Sequence, residues 1–388
     1  MFPVKTFGRN IRKAFLEPGF AVVALIKRLK AALSYKFSKS GKAPLPESLT
    51  FFLTYECNLR CRMCGQWGDA GANKLFEPVK VNKSLKIASY IKLLEEVKGF
   101  KPHITLFGGE PLLYSGFEEL VNEIKKRGLH LGIITNGTLL KKYAKTIVNA
   151  GVEVVSISVD GPAELHDKVR GMEGAYLKLK EGVEEINRLK KEKNTAKPLL
   201  NLVCTISELN YQSIKEMPPV AGELGADTLN LHHLIFTGSE TLESHNKYFK
   251  EKFGVDSEEW AGFIRPAVKE IDPKQLAKDI EELKRGKYPF LFTVYPDLSG
   301  KEIIKYYTEE NFVAKEYPGR CLSPWLTAYI YPDGEVMPCQ GLGFTAGNIE
   351  VDTFGDIWNG EKMQKFRKEL KKQKVFKICY KCTELYRY

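Results

Sequence analysis

Three cysteines fall within eight residues, in the run Cys57-Asn58-Leu59-Arg60-Cys61-Arg62-Met63-Cys64. A β-branched and aromatic stretch over residues 49–55 precedes them and reads as a strand, so the thiols sit on a loop leaving a strand end. A structural zinc wants four nitrogen or sulfur ligands, and the next histidine, His103, is too distant in sequence to complete a local set. Three thiolates suit a [4Fe–4S] cluster with one iron left unligated, because each cysteine takes one iron. An open iron can chelate a small molecule, so the loop reads as a reactive centre. The plainer alternative is three free thiols on a surface loop, or an adventitious metal site.

Four more thiols, Cys321, Cys339, Cys379 and Cys382, lie toward the C-terminus. Between the first two, residues 326–338 read as a hairpin with an Asp333-Gly334 turn, and the last two form a CxxC pair. Four thiols make a complete S4 set, for zinc or for an iron–sulfur cluster. With no open position, such a centre is suited to carry electrons rather than to bind substrate. The eighth cysteine, Cys204, lies inside a predicted strand and reads as a small buried hydrophobe.

The CxxxCxxC spacing resembles the signature of radical S-adenosylmethionine (SAM) enzymes, and other motifs extend the resemblance. In that family the open iron binds the amino and carboxylate groups of SAM. One electron cleaves the sulfonium to a 5′-deoxyadenosyl radical, which abstracts a substrate hydrogen. Gly108-Gly109-Glu110-Pro111 follows the strand Ile104-Thr105-Leu106-Phe107, and glycines at a strand end let backbone approach a ligand. It resembles the GGEP motif, which implies that Gly108, Gly109 and Glu110 hold the SAM amino group. Thr135-Asn136-Gly137-Thr138 ends the next strand. There Asn136 either faces a barrel mouth or belongs to an ordinary asparagine-glycine turn. The run Ser156-Ile157-Ser158-Val159-Asp160-Gly161-Pro162, continued by His166-Asp167-Lys168-Val169-Arg170-Gly171, implies Ser158 at the SAM ribose or carboxylate. It also implies Arg170 on the carboxylate, which suits a guanidinium fork. Asp160 reads as a cap for the following turn. One residue departs from the family: the position before the third cysteine is usually aromatic and packs near adenine. Here it is Met63, whose sulfur can meet a ring edge, with Trp67 as a nearby substitute.

The C-terminal pattern, with Gly334, Gly347-Asn348-Ile349 and Ile357-Trp358 among its cysteines, resembles the SPASM/twitch extension of the same family. A full SPASM domain has further cysteines for two clusters. None remain here, so the expectation is one auxiliary [4Fe–4S] cluster, with a structural zinc ribbon as the alternative.

These residues must be positioned by the elements between them. From residue 49 strands and helices alternate, the pattern of a parallel α/β sheet. Strands are expected at 49–55, 103–107, 130–135, 153–159, 199–206 and 227–235, and helices at 83–98, 115–127, 139–150, 174–192 and 210–223. Six such units resemble the partial (β/α)6, TIM-like barrel of a radical SAM core. The expected division is a basic arm over 1–48, the core over 49–236, a motif-free connecting segment over 237–320, and a small hairpin-and-helix cluster domain over 321–388. His232 and His233 end the sixth strand, where one can touch substrate, though satisfied half-buried histidines are commoner. An amphipathic helix is expected from about Phe354 to Lys372.

The composition, 43% hydrophobic and 28% charged over 388 residues, is that of a globular chain. Thiols in two groups point to metal rather than disulfides, hence to a reducing, cytoplasmic setting. No secretory segment is expected, and the apolar run from Phe20 to Ile26 is too short to span a bilayer. The net charge of +11 is uneven: residues 1–48 carry ten Lys/Arg and two Glu, or +8, leaving +3 for the rest. Two helical pieces flank Glu17-Pro18-Gly19. In the second, Val22, Leu25, Ile26, Leu29 and Leu33 form one stripe, with Lys27, Arg28, Lys30 and Ser34 opposite. The plainer expectation is that the stripe packs on the barrel and the lysines face water. The alternative is a helix lying on an anionic membrane surface.

The leading function is therefore SAM-dependent hydrogen abstraction from an unactivated carbon, with the auxiliary cluster relaying an electron. The resemblance implies an electron donor such as flavodoxin or ferredoxin. The basic arm is too short for a leader-peptide-binding domain and tilts the substrate toward a membrane-proximal lipid or lipid-linked glycan. Peptide or enzyme modification is the alternative, and a non-catalytic electron carrier the rival class. Glu110, Ser158 and Arg170 weigh against the carrier, which needs no SAM pocket. Nucleic acid is disfavoured because the arm lacks interleaved stacking aromatics.

Overall fold

A computed structural model describes residues 18–388, so the first helical piece of the arm lies outside the described residues. Six parallel strands form the frame: β1 (Ser48–Phe52), β2 (His103–Phe107), β3 (Leu131–Thr135), β4 (Val154–Ser158), β5 (Leu199–Thr205) and β6 (Thr228–His232). Helices cross between them. Helix Leu140–Ala150, for example, buries Leu140, Tyr143, Ala144, Ile147 and Val148, one stripe at helical spacing. It ends at Gly151, whose φ of 69° is left-handed and suits glycine. In β5 the alternation is that of a strand: Leu200, Leu202 and Cys204 are buried and Asn201, Val203 and Thr205 half-buried. On the half-buried face Asn201 donates to Ser156 Oγ (3.0 Å) and accepts from Thr228 Oγ1, a polar layer joining three strands.

The sheet is wider than six strands. β7 (Leu291–Tyr295), from the segment read as a connector, pairs parallel with β6. On the other side β8 (Thr327–Ile330) pairs parallel with β1, followed antiparallel by β9 (Glu335–Met337) and β10 (Gly347–Asn348). The order is β10-β9-β8-β1-β2-β3-β4-β5-β6-β7. The C-terminal hairpin is thus continuous with the barrel sheet, which holds it in register with β1. The single helix expected over 354–372 is two, Phe354–Trp358 and Glu361–Gln373, with Gly360 between them.

Helix α1 (Pro18–Phe37) overturns the plainer expectation for the arm. It docks through small and basic residues: Ala24, Ala31 and Tyr35 are buried. Lys27 Nζ donates to the carbonyls of Phe100 (2.8 Å) and Pro46 (3.1 Å), and Arg28 grips Glu47 with two bonds of 2.7 Å. Val22, Leu25, Ile26, Leu29, Leu33 and Phe37 point outward, 45–67% exposed. The cause is chemical. The carbonyls before β1 and β2 and the Glu47 carboxylate need donors, and only the basic face supplies them.

Candidate active site

The loop leaving the C-terminal end of β1 carries Cys57, Cys61 and Cys64, with Cys61 buried and the other two half-buried. Polar donors converge on their sulfurs. Leu59 N lies 3.5 Å from Cys57 Sγ, Gln66 N and Trp67 N lie 3.3 and 3.4 Å from Cys64 Sγ, and Asn136 Nδ2 lies 3.9 Å from Cys57 Sγ. Arg170 Nη1 donates to Cys61 Sγ at 3.7 Å. Burial pushes the Cys57 thiol up to about 12 and the Cys61 thiol up as well. Metal binding must therefore drive off protons. Thiols spread around a loop and met by N–H donors fit a cluster, which takes one ligand at each corner.

Arg170 is 7% exposed and serves two partners. Its Nη2 lies 2.6 Å from Asp160 Oδ2, an ion pair rather than an aligned hydrogen bond, and its Nε has no partner. Burial opposes its charge, but Asp160 and the Cys61 thiol outweigh that and hold the guanidinium charged. Asp160 therefore does not cap the local turn as expected; it is wholly enclosed and anchors Arg170, while its Oδ1 accepts from Thr205 N at 2.9 Å. Glu110 is also fully buried. It accepts from Leu112 N (3.1 Å) and Thr135 Oγ1 (2.7 Å) at one oxygen and from Asn136 N (2.8 Å) at the other. Its side chain thus ties the β2 and β3 end loops together.

Gly108 and Gly109 allow a close approach, and the structure shows to what. A Cβ at Gly108, whose φ is 146°, would lie 2.6 Å from Thr54 O, and one at Gly109 2.0 Å from Glu56 O. Gly109 N and Glu110 N donate to those same carbonyls at 2.8 Å. The motif is pressed against the start of the cysteine loop. Asn136 bonds Asn58 Oδ1 (2.9 Å), adding a side-chain tie to that loop. Ser158 ends β4 half-buried. Met63 packs into the main core, and Trp67 is held by a 2.7 Å bond to Tyr55 O with the Arg60 guanidinium over its ring.

The four C-terminal thiols are close enough to act on one another: Cys339 feels the charges of Cys321, Cys379 and Cys382, and Cys379 those of Cys321 and Cys382. Burial pushes Cys382 up to about 12 and Cys321, Cys339 and Cys379 upward. Cys204 is fully buried in the core, and His233, also buried, bonds Tyr307 OH at 3.0 Å. Both are packing residues.

What the sequence reading missed lies in the segment over 237–320. The 3-10 turn Glu258–Phe263 sits on the cysteine loop. A Cβ at Gly262 would come within 1.9 Å of Gly65 O, and one at Gly65 would strike the Phe263 ring at 2.5 Å. Arg265 then bonds the carbonyl of Arg62 at 3.1 Å. Only the pairing of two glycines distant in sequence signals this contact, and no local pattern reveals it.

Comparison with known proteins agrees with this geometry. The radical SAM superfamily matches residues 51–217, and SPASM, an iron–sulfur cluster-binding domain, matches residues 321–383. The chain is 28% identical over 346 residues to the AdoMet-dependent heme synthase of Methanosarcina barkeri, covering 87% of this chain and 91% of that one. It is 26% identical to the sporulation killing factor maturation protein SkfB of Bacillus subtilis, covering 84% of this chain and 68% of that one. Among solved structures it resembles Streptococcus suis SuiB bound to precursor peptide SuiA. The TM-score is 0.59 at 15% identity, over 86% of this chain and 69% of SuiB, a likeness of fold.

Proposed function

The chain belongs to the radical SAM superfamily and carries a SPASM domain, two matches that together cover more than half of it, and from that premise we propose an oxidative hydrogen-abstracting enzyme. The two domains imply SAM and two [4Fe–4S] clusters. When bound, the clusters supply one electron to the SAM sulfonium and accept one from the substrate radical. The net loss from the substrate would be a hydrogen atom, an electron and a proton. One observation carries the reading: a loop at the barrel mouth supplies three thiols, while a closed quartet supplies four. Cys57, Cys61 and Cys64 hold the open cluster, Arg170 stands by Cys61, and Glu110 with Asn136 fixes the loop's frame. Arg170, which the resemblance assigns to the SAM carboxylate, is also paired with Asp160 and keeps a buried Nε without a partner. The test is anaerobic reconstitution, with about eight irons per chain expected from two four-iron clusters, followed by reduction with SAM and assay for 5′-deoxyadenosine. Full iron loading without SAM cleavage under any reductant would favour the electron carrier.

For the substrate, the relatives' names support a tetrapyrrole or a peptide. Transfer of deuterium from a labelled candidate into 5′-deoxyadenosine identifies it. The lipid reading loses support from the fold. Helix α1 docks where β1 and β2 begin, whereas the cysteine loop leaves the other end of β1. A membrane touched by α1 would lie on the side away from the mouth. A second reading, peripheral contact with an anionic bilayer, is favoured separately by the outward stripe of α1 and its exposed neighbours Lys30 and Lys36. No helix of the described residues is long and apolar enough to cross a membrane. Co-sedimentation with anionic but not neutral vesicles, lost in Leu25→Glu/Leu29→Glu, supports contact. Equal recovery with both vesicles would remove it.

A further inference from the structure

A second arginine reaches the cysteine loop. Arg265 is 8% exposed and is fixed by its Nη1 bond to Arg62 O. The fixing is reinforced by the Gly262–Gly65 contact and by Thr237 N donating to Phe263 O at 2.9 Å. Its Nε and Nη2 are buried and have no hydrogen-bond partner. No carboxylate of the described residues pairs with it; Glu208, Cys64 and Asp69 are the opposing charges that act on it, and together they do not offset the cost of burial.

The two free donors are not an arbitrary pair. Nε and Nη2 lie along one edge of the guanidinium, the edge that grips both oxygens of a carboxylate. This chain uses that edge in this way elsewhere: Arg28 Nε and Nη2 donate to the two oxygens of Glu47. At Arg265 the same fork is built, enclosed and held rigid beside the cysteine loop. Leaving buried charged donors unpaired is costly, more so than leaving neutral ones. Glu208, just past β5, also has a buried oxygen, Oε2, without a partner. The mouth therefore offers a cation and a carboxylate that do not satisfy each other.

We propose that the Nε/Nη2 edge of Arg265 receives a carboxylate brought to the cysteine loop, either the α-carboxylate of SAM or a carboxylate of the substrate. The site rests on the radical SAM reading only for where the ligand arrives. Arg265→Gln keeps a donor for Arg62 O and removes the fork; Arg265→Lys keeps the charge alone. Both variants are first matched to wild type in iron content and in the EPR spectrum of the reduced protein without SAM. Binding of SAM and of decarboxylated SAM is then measured by equilibrium dialysis. Succinate is titrated against the SAM-bound protein with the EPR spectrum as readout.

A loss of about tenfold or more in SAM affinity in both variants, with decarboxylated SAM unaffected, assigns the carboxylate of SAM. Unchanged SAM affinity, with a succinate response present in wild type and lost in both variants, assigns a substrate carboxylate. Equal losses for SAM and its decarboxylated form overturn the proposal, as does unchanged SAM affinity with no difference in succinate response. Formation of 5′-deoxyadenosine by wild type is recorded apart from these titrations. An enzyme that binds SAM through Arg265 yet fails to cleave it would refute the proposed reaction and leave the carboxylate site standing.

Discussion

The Cys57–Cys61–Cys64 loop and the Cys321–Cys339–Cys379–Cys382 quartet present the same ligand atom in contrasting surroundings. Around the loop, backbone amides, Asn136 and the charged Arg170 all point at sulfur. At the quartet the lysine beside Cys382, Lys381, is engaged elsewhere. Its Nζ bonds the carbonyls of Tyr306 and Glu309 and lies over the rings of Phe236, Tyr306 and Phe312, and burial lowers its pKa to about 7. Backbone amides serve the sulfurs of both sets, those of Ser323, Glu384 and Leu385 at the quartet among them; the difference is the charged side chain, Arg170, that the loop adds at Cys61. Denticity, three against four, agrees with that difference in surroundings.

The largest expected effect breaks the pair apart. Cys57→Ala/Cys61→Ala/Cys64→Ala should lose roughly half the iron and reduce 5′-deoxyadenosine formation to background. Cys379→Ala/Cys382→Ala should also lose roughly half the iron but still cleave SAM, while no longer converting substrate. It should also melt at a lower temperature than the loop variant, because the quartet ties the chain's end to a sheet that includes β8. Iron analysis, a deoxyadenosine assay and a melting curve on each protein suffice. A quartet variant that is folded, half-loaded and unable to cleave SAM would show that the two centres are not separable.

A smaller effect sharpens the contrast at one side chain. Asp160 and Arg170 are both enclosed, and Asp160→Asn leaves the guanidinium buried beside Cys61 without its counter-charge. Breaking a buried pair from one side costs about 3–5 kcal/mol. Denaturant melts should show that loss, and reconstitution should show weakened iron loading at the loop alone. Loss of iron from both centres in equal measure would mean that the pair supports the whole sheet rather than the loop.

Much of this architecture was legible because the core strands and helices announce themselves by period, as in β5 and in helix Leu140–Ala150, and because the cysteines come in local runs. Three things were not. The orientation of α1 is not decided by its stripe, which suits packing on the barrel and an outward face equally. The carbonyls of Pro46 and Phe100 and the Glu47 carboxylate that capture Lys27 and Arg28 lie outside the helix, 19 to 73 positions away. The partnership of Asp160 with Arg170 was hidden because a carboxylate just after a strand reads equally well as a turn cap. Arg265 was invisible because its meaning comes from a contact with Arg62, 203 positions away in sequence.

The smallest predicted effect concerns Glu110, part of a polar, titratable frame that surrounds the loop. Burial outweighs the three donors on its oxygens and pushes its carboxyl up to about 7. The folded protein therefore holds a proton that the unfolded chain releases near its ordinary value of 4.5. The stability contributed by this proton is full below pH 4.5 and is lost as pH rises through about 7. The loss amounts to about 3 kcal/mol in all. Glu110→Gln has no such proton to lose, although its amide meets Asn136 N or Thr135 Oγ1 less well and lowers stability at every pH. The gap between wild type and variant, measured by denaturant midpoints from pH 5 to 8, should accordingly narrow as pH rises. A gap that stays constant would mean that Glu110 is ionised throughout, held so by its donors. The frame of the cysteine loop would then be charged rather than protonated at neutral pH.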